Sequence, residues 1–181
     1  MPDDTPLPPI WLLGSSDYSS ELAAQVGMGF AFAHHFASYD AIEALTNYHQ
    51  RFKPSGWRQT PHGILAVAVV AAETDAEAEK LATSMDLNRL RRDRGQYTPL
   101  PSVEEALAYP YTESDRAAIA RNRTRLFVGS PATVMAKLQP MISGSQANEL
   151  MIITAVYDHD TRKKSYSLLA DAFGLGKQAA A

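Results

Sequence analysis

The 181-residue sequence lacks several features that would identify common classes of protein. It has no cysteine, which excludes disulfide bonds and thiolate metal sites. Its net charge is only -3, and this small acidic excess gives no reason to expect a nucleic-acid partner. The N-terminal stretch MPDDTPLPP is acidic and rich in proline, unlike a signal peptide or a membrane span. The composition therefore predicts a soluble cytoplasmic protein that binds neither nucleic acid nor membranes.

Residue patterns for acid–base, nucleophilic or metal chemistry are also missing. His159 lies in the segment DHDTR, but two acids and one histidine in a row lack the spread of a metal site. We interpret this segment as a helix start capped by Asp158 or Asp160, and we predict no metal. His34 and His35 close a predicted strand, where a structural role is favoured over a catalytic one. The sequence thus assigns no catalytic residue, which fits an enzyme whose cofactor performs the chemistry.

Apolar runs that predict strands alternate with helix-forming segments along the chain. Strands are predicted near residues 10–13, 30–34, 63–72 and 150–154, with a brief strand end at 126–128. Between them, helices are predicted after residue 16, at 40–51, after Thr74, and at 103–108, 113–122, 132–142 and 165–173. Such alternation indicates right-handed βαβ units and a parallel sheet. The predicted fold class is therefore α/β.

The stretch WLLGSSDYSSELAAQVG, residues 11–27, places four serines where a strand becomes a helix. The apolar residues 10–13 are short and uncharged, which predicts a strand buried on both faces. Residues 14–16 are then a strand-to-helix turn. The first N–H groups of a helix lack intrahelical partners and carry the positive end of its dipole, so this turn can hold an anion such as a phosphate. The alternative is that one of residues 15–17 is only an N-cap.

Five segments carry a resemblance to a known family: PPIWLLGSSDYSSELAAQVGMGFAFAHHF, YHQRFKPS, GSPATVMAKL, ANELMIIT and YDHDTRKKSYSLLADAF. In order and spacing they resemble the second half of the bacterial luciferase-like flavin monooxygenases. The resemblance covers almost the whole chain. It implies a parallel (β/α) half of a TIM-type barrel, with residues 1–181 as a single domain corresponding to the C-terminal half of a luciferase-like (β/α)8 barrel.

The resemblance also implies a function. Enzymes of this family use FMN, often supplied in reduced form by a flavin reductase, to insert one oxygen atom from O2 into a small organic substrate. In that family the turn after the fifth strand receives the FMN phosphate. By resemblance, Gly14, Ser15, Ser16 and Ser19 are predicted to bind it. The alternative is a non-catalytic flavin- or phosphate-binding half-barrel that forms a homo-oligomer.

A half-barrel would leave two strand edges and one apolar wall exposed. We therefore expect a homo-oligomer that buries more than roughly 1,000 Å² in its interface. A twofold pair would cover both the edges and the wall. There are two alternatives to a homo-oligomer: the sequence is a fragment of a longer chain, or another chain completes the barrel.

Overall fold

The computed structural model describes residues 8–175, so most of the proline-rich N-terminal stretch lies outside the described residues. Five strands and seven α-helices alternate in this part of the chain. The strands are β1 (Trp11–Gly14), β2 (Gly29–Ala33), β3 (Gly63–Ala71), β4 (Leu126–Gly129) and β5 (Glu149–Ile153). The helices are α1 (Asp17–Val26), α2 (Ala41–Arg51), α3 (Asp75–Asp93), α4 (Val103–Ala108), α5 (Glu113–Arg123), α6 (Pro131–Ser145) and α7 (His159–Ala172).

These elements belong to two compact units, each formed by two segments of the chain. The first unit comprises Met1–Ala66 and Met141–Met151, and the second comprises Val67–Pro140 and Ile152–Ala181. Strand β3 contributes residues to both units: residues 63–66 belong to the first unit and residues 67–71 to the second. That residues 1–181 form a single domain stays a prediction.

In the first unit, β1, β2 and the first half of β3 are paired in parallel. Trp11 lies opposite Gly29, and Phe30 lies opposite Gly63. Position 29 requires glycine, because a Cβ there would lie 2.5 Å from the Trp11 ring. Helices α1 and α2 pack against each other and against β2. The core of this unit includes alanine, leucine and aromatic side chains: Ala23, Ala24, Phe30, Phe32, Ala44, Leu45 and Tyr48.

Strand β1 differs from its prediction. The sequence predicts burial on both faces, but Leu13 is 68% exposed and Trp11 and Leu12 are only half-buried. Among the described residues, strand β1 stands at the end of the order β1-β2-β3-β4 and pairs only with β2. Its side chains therefore lack part of the packing that an interior parallel strand receives.

In the second unit, the second half of β3 pairs in parallel with β4. Ala68 lies opposite Leu126, and Ala71 lies opposite Gly129. Strand β3 is buried along its whole length, as its apolar run predicts. Helix α3 packs against α4, α5 and β4. These elements share a core of buried apolar side chains: Ala68, Val70, Ala72, Ala78, Ala82, Met85, Leu126, Val128 and Val156.

Strand β5 also pairs with β3, and its residues alternate between exposed and half-buried positions. The strands predicted from the apolar runs are thus all present among the described residues. The α/β fold class, with parallel strands and flanking helices, is confirmed.

The helix starts carry the predicted caps. Thr74 and Asp158 each accept the backbone N–H of the residue three positions later, before α3 and α7. Helix α6 begins at Pro131, within one residue of the predicted start at 132, but it ends at Ser145 rather than at Ile142. The residues at the starts of these helices therefore predict the helix boundaries more accurately than the residues at the end of α6 do.

Lowering the pH from about 7.5 to about 5.5 is expected to destabilise the protein through His49. Its Nε2 is buried and has no hydrogen-bond partner among the described residues. Burial lowers the pKa of His49, and nearby His62 lowers it further. The unfolded chain therefore binds a proton at this histidine more tightly than the folded protein does. The free energy of unfolding is at its full value above the unfolded-state pKa of about 6.5, and it falls as the pH drops below that value.

Urea unfolding at several pH values would check this expectation. His49→Phe should show a shallower loss of stability with acid than the natural protein. His159→Phe, a change of the same kind at an exposed position, should keep the full loss. Parallel pH profiles for His49→Phe and the natural protein would contradict the assignment.

Candidate functional site

The turn between β1 and α1 brings together the four residues predicted to bind a phosphate. Gly14 ends β1, Ser15 follows it, Ser16 is the N-cap of α1, and Ser19 lies in the first turn of the helix. All four residues are half-buried. The turn therefore presents hydroxyl groups at the positive end of a ten-residue helix.

Ser16 and Ser19 hold each other in a capping box. The Ser19 N–H donates to Ser16 Oγ at 3.4 Å, and the Ser16 N–H donates to Ser19 Oγ at 3.3 Å. The Ser19 hydroxyl donates to the Ser16 carbonyl oxygen at 2.8 Å. The N-cap interpretation is thus confirmed for Ser16, and the Ser19 hydroxyl proton is used within the turn.

Two other hydroxyl protons of the turn are open to a ligand. Ser16 Oγ accepts a backbone N–H and lies 3.3 Å from Ser19 Oγ, a long distance for a bond between hydroxyls. Its proton can therefore turn to an anion while the cap persists. The Ser15 side chain makes no hydrogen bond to residues 8–175. Ser15 and Ser16 are thus the two direct donors that the turn offers from side chains.

Asp17 is the one residue of the turn whose charge disfavours anion binding. Its Oδ1 accepts the Tyr18 N–H at 2.8 Å, which occupies one donor at the start of the helix. The Asp17 side chain is exposed, so water and salt screen its charge. Binding of an anion here would rest on hydrogen bonds from the turn and on the helix dipole.

Gly14 is required by the packing of Ser19. A Cβ at position 14 would overlap both Cβ and Oγ of Ser19, and it would lie 3.6 Å from the Phe30 ring. The absence of a side chain lets the capping pair sit against the end of β1.

His34 and His35 lie in a short 3-10 helix, His34–Phe36, directly after β2. Nδ1 of His35 lies 3.5 Å from the carbonyl oxygen of Ala66, and its ring packs edge-on against Phe36. These contacts support the structural interpretation of His35. They give no geometry that would pair either histidine with a nucleophile.

Residues 8–175 lack two further kinds of feature. That part of the chain contains no group of three or more His, Asp and Glu side chains placed to hold a metal ion. It also contains no helix long and apolar enough to cross a membrane. His159 begins α7, and Asp158 caps that helix, as one of the two alternatives predicts.

Sequence comparison places the chain among known proteins. The family profile described as luciferase-like monooxygenase matches residues 1–144. The chain belongs to this family. The matched region contains the turn at residues 14–19 and three of the five segments quoted above, and the resemblance to this family is confirmed.

One relative of this luciferase-like chain is the uncharacterized protein YceB of Bacillus subtilis (strain 168). The two are 39% identical over 166 residues, which make up 92% of this chain and 50% of YceB. The chain spans about half the length of the curated relatives it matches.

Two solved structures share the fold of this chain. The crystal structure of apo-MsnO8 is 34% identical and matches with a TM-score of 0.87, over 96% of this chain and 53% of that protein. The oxygenating constituent of 3,6-diketocamphane monooxygenase from Pseudomonas putida, a type II Baeyer–Villiger monooxygenase solved with FMN, is 18% identical. Its TM-score is 0.53, over 91% of this chain and 48% of that protein, and this likeness concerns the fold alone.

Sequence reasoning named the four turn residues but missed how they divide their roles. Ser16 and Ser19 are three positions apart, which is the spacing of a capping box. That spacing was the signal that would have identified them as a mutually bonded pair. It would also have distinguished Ser19, whose hydroxyl donates to the Ser16 carbonyl oxygen, from Ser15 and Ser16.

Proposed function

We propose that the protein is an FMN-dependent monooxygenase that transfers one oxygen atom from O2 to a small organic molecule. Membership of the luciferase-like monooxygenase family supports the reaction class. The observation that carries the cofactor assignment is the Ser16 hydroxyl, which caps α1 and keeps a proton for an anion. A flavin reductase that supplies reduced FMN is part of the proposal.

The residues of the turn fit the phosphate of FMN. Ser15 and Ser16 would donate to phosphate oxygens, and the start of α1 adds the positive end of its dipole. Ser19 would hold Ser16 in position, and Gly14 would leave room for this pair. When bound, reduced FMN supplies the activation of O2, while the protein orients the cofactor and excludes water.

We also propose that the chain is the C-terminal half of a luciferase-like (β/α)8 barrel. The first unit leaves an apolar face uncovered, with Leu13 68% and Tyr18 71% exposed. Leu22 and Val26 follow Tyr18 at spacings of four, so the three lie on one side of α1. Together with the open edge of β1, this face suits the preceding strands and helices of such a barrel. A second copy of the chain is the other occupant that would cover it.

Ser16→Ala is expected to weaken FMN binding about 10- to 100-fold, because a hydrogen bond to a charged group contributes about 1.5–3 kcal/mol. Quenching of flavin fluorescence on titration would measure the affinity. The titration should be made on the chain alone and on a fusion that adds the part of YceB outside the match, since the added part supplies the rest of the barrel.

Ser102→Ala is the matched control for this change. Ser102 caps α4 in the second unit by accepting the Glu105 N–H at 3.1 Å, so its loss removes a cap of the same kind. It should leave FMN affinity unchanged. Equal affinities of Ser16→Ala and the natural protein in the fusion would show that Ser16 is a cap only.

A further inference from the structure

The second unit contains a cavity that the proposed flavin site does not use. It has a volume of about 480 Å³ and is lined by residues of α3, α4, α5 and the segment 109–111. This volume lies within the range of small-molecule sites, roughly 300–1,000 Å³. Its apolar wall includes Ala106, Leu107 and Ile119. Leu107 is 59% exposed, which leaves apolar surface for a ligand to cover.

Tyr111 brings a hydroxyl group to the cavity wall. This hydroxyl is buried and has no hydrogen-bond partner among the described residues. Buried polar groups are nearly always paired, so an unpaired one indicates a missing partner. Burial raises the pKa of Tyr111, and the charge of Asp86 raises it further. The hydroxyl therefore keeps its proton at neutral pH and can donate it.

Arg116 adds a cation to the same cavity. Its guanidinium carbon lies 5.8 Å from the centroid of the Tyr111 ring. Arg91 and Arg94 in the same unit each pair with an acidic side chain. Arg116 forms no such pair with any residue from 8 to 175. Its N–H donors are therefore open to an anionic group next to Tyr111.

The one carboxylate in the wall is already paired with an arginine. Both oxygens of Asp86 accept hydrogen bonds from Arg123, one from Nε and one from Nη2, at 2.7 Å each. Arg123 therefore offsets part of the repulsion between Asp86 and an anion, and both oxygens of the carboxylate are occupied. The polar groups left for a ligand include the unpaired hydroxyl of Tyr111 and the guanidinium of Arg116.

We propose that this cavity binds a small organic carboxylate with a compact apolar body. The carboxylate oxygens accept hydrogen bonds from the Arg116 guanidinium and the Tyr111 hydroxyl. The apolar body packs against Leu107 and Ile119. This site is separate from the turn at residues 14–19, and the proposal does not depend on the proposed flavin chemistry.

Phenylacetate and its uncharged counterpart phenylacetamide test this site. An NMR titration of the ¹⁵N-labelled chain with phenylacetate should shift amide signals of α4, α5 and residues 109–111. Phenylacetamide, which lacks the charge, should bind roughly tenfold more weakly. Arg116→Gln should weaken phenylacetate binding by a similar factor, and Tyr111→Phe should weaken it about threefold or more.

Arg121→Gln is the matched control, because it removes the same charge from α5 at a position outside the cavity wall. It should leave phenylacetate binding unchanged. Ala120→Phe, at an exposed position of the wall, should fill the space and abolish binding while the helical content stays constant. Two results would overturn the proposal: no phenylacetate shifts at these residues, or shifts that persist equally in Arg116→Gln and Ala120→Phe.

Discussion

Asp86→Ala is expected to lower the free energy of unfolding by about 3–5 kcal/mol, the range for removing one partner of a buried ion pair. The Asp86 side chain is 9% exposed and holds the Arg123 guanidinium through two hydrogen bonds of 2.7 Å. Burial raises the pKa of Asp86, although Arg123 acts to lower it. After the change, Arg123 would keep only Glu79, at 3.1 Å on the exposed side. Urea unfolding followed by circular dichroism would measure the loss.

Asp93→Ala is the control for the Asp86 prediction. Asp93 lies on the same helix, is exposed, and accepts one hydrogen bond from the Asn122 amide at 3.0 Å. Its removal should cost no more than about 1 kcal/mol. If the two alanine variants unfold at the same urea concentration, the ion pair of Asp86 does not stabilise the fold.

Gly14→Val is expected to weaken FMN binding at least tenfold, a loss of about 1.4 kcal/mol or more. The new Cβ would overlap Ser19, which must then move and give up its bonds to Ser16. The Ser16 hydroxyl would lose its fixed orientation, and the start of α1 would loosen. Flavin fluorescence titration would report the affinity, and circular dichroism would report the helix.

Gly56→Val is the control for the Gly14 prediction. Gly56 lies in the same unit, and a Cβ there would meet no atom within 4 Å. This variant should bind FMN as the natural protein does. Equal FMN affinities for Gly14→Val and Gly56→Val would mean that the order of the turn does not control flavin binding.

The sequence predicted the elements well because its local signals are strong. Apolar runs identify β3 and β5, and Thr74, Ser16 and Asp158 are caps that act over three residues. These interactions depend on neighbours in the chain. Local pattern is therefore enough to predict them.

Features that depend on residues far apart in the chain were not predictable in this way. Asp86 and Arg123 are 37 positions apart, and nothing in either local pattern links them. The same holds for the cavity beside Tyr111, which needs three helices in place. The exposure of Leu13 also escaped prediction, because a short apolar run looks the same in an interior strand and at the end of a sheet.

The turn at residues 14–19 is proposed to bind the phosphate of FMN. Comparing the affinities of FMN and riboflavin for the same protein tests it most directly, because riboflavin has the same ring system and lacks the phosphate. The titrations should use the chain alone and the fusion with the remainder of YceB. We expect FMN to bind at least about tenfold more tightly than riboflavin, and Ser16→Ala to remove most of this advantage. Equal affinities for the two flavins, in both the chain and the fusion, would contradict it.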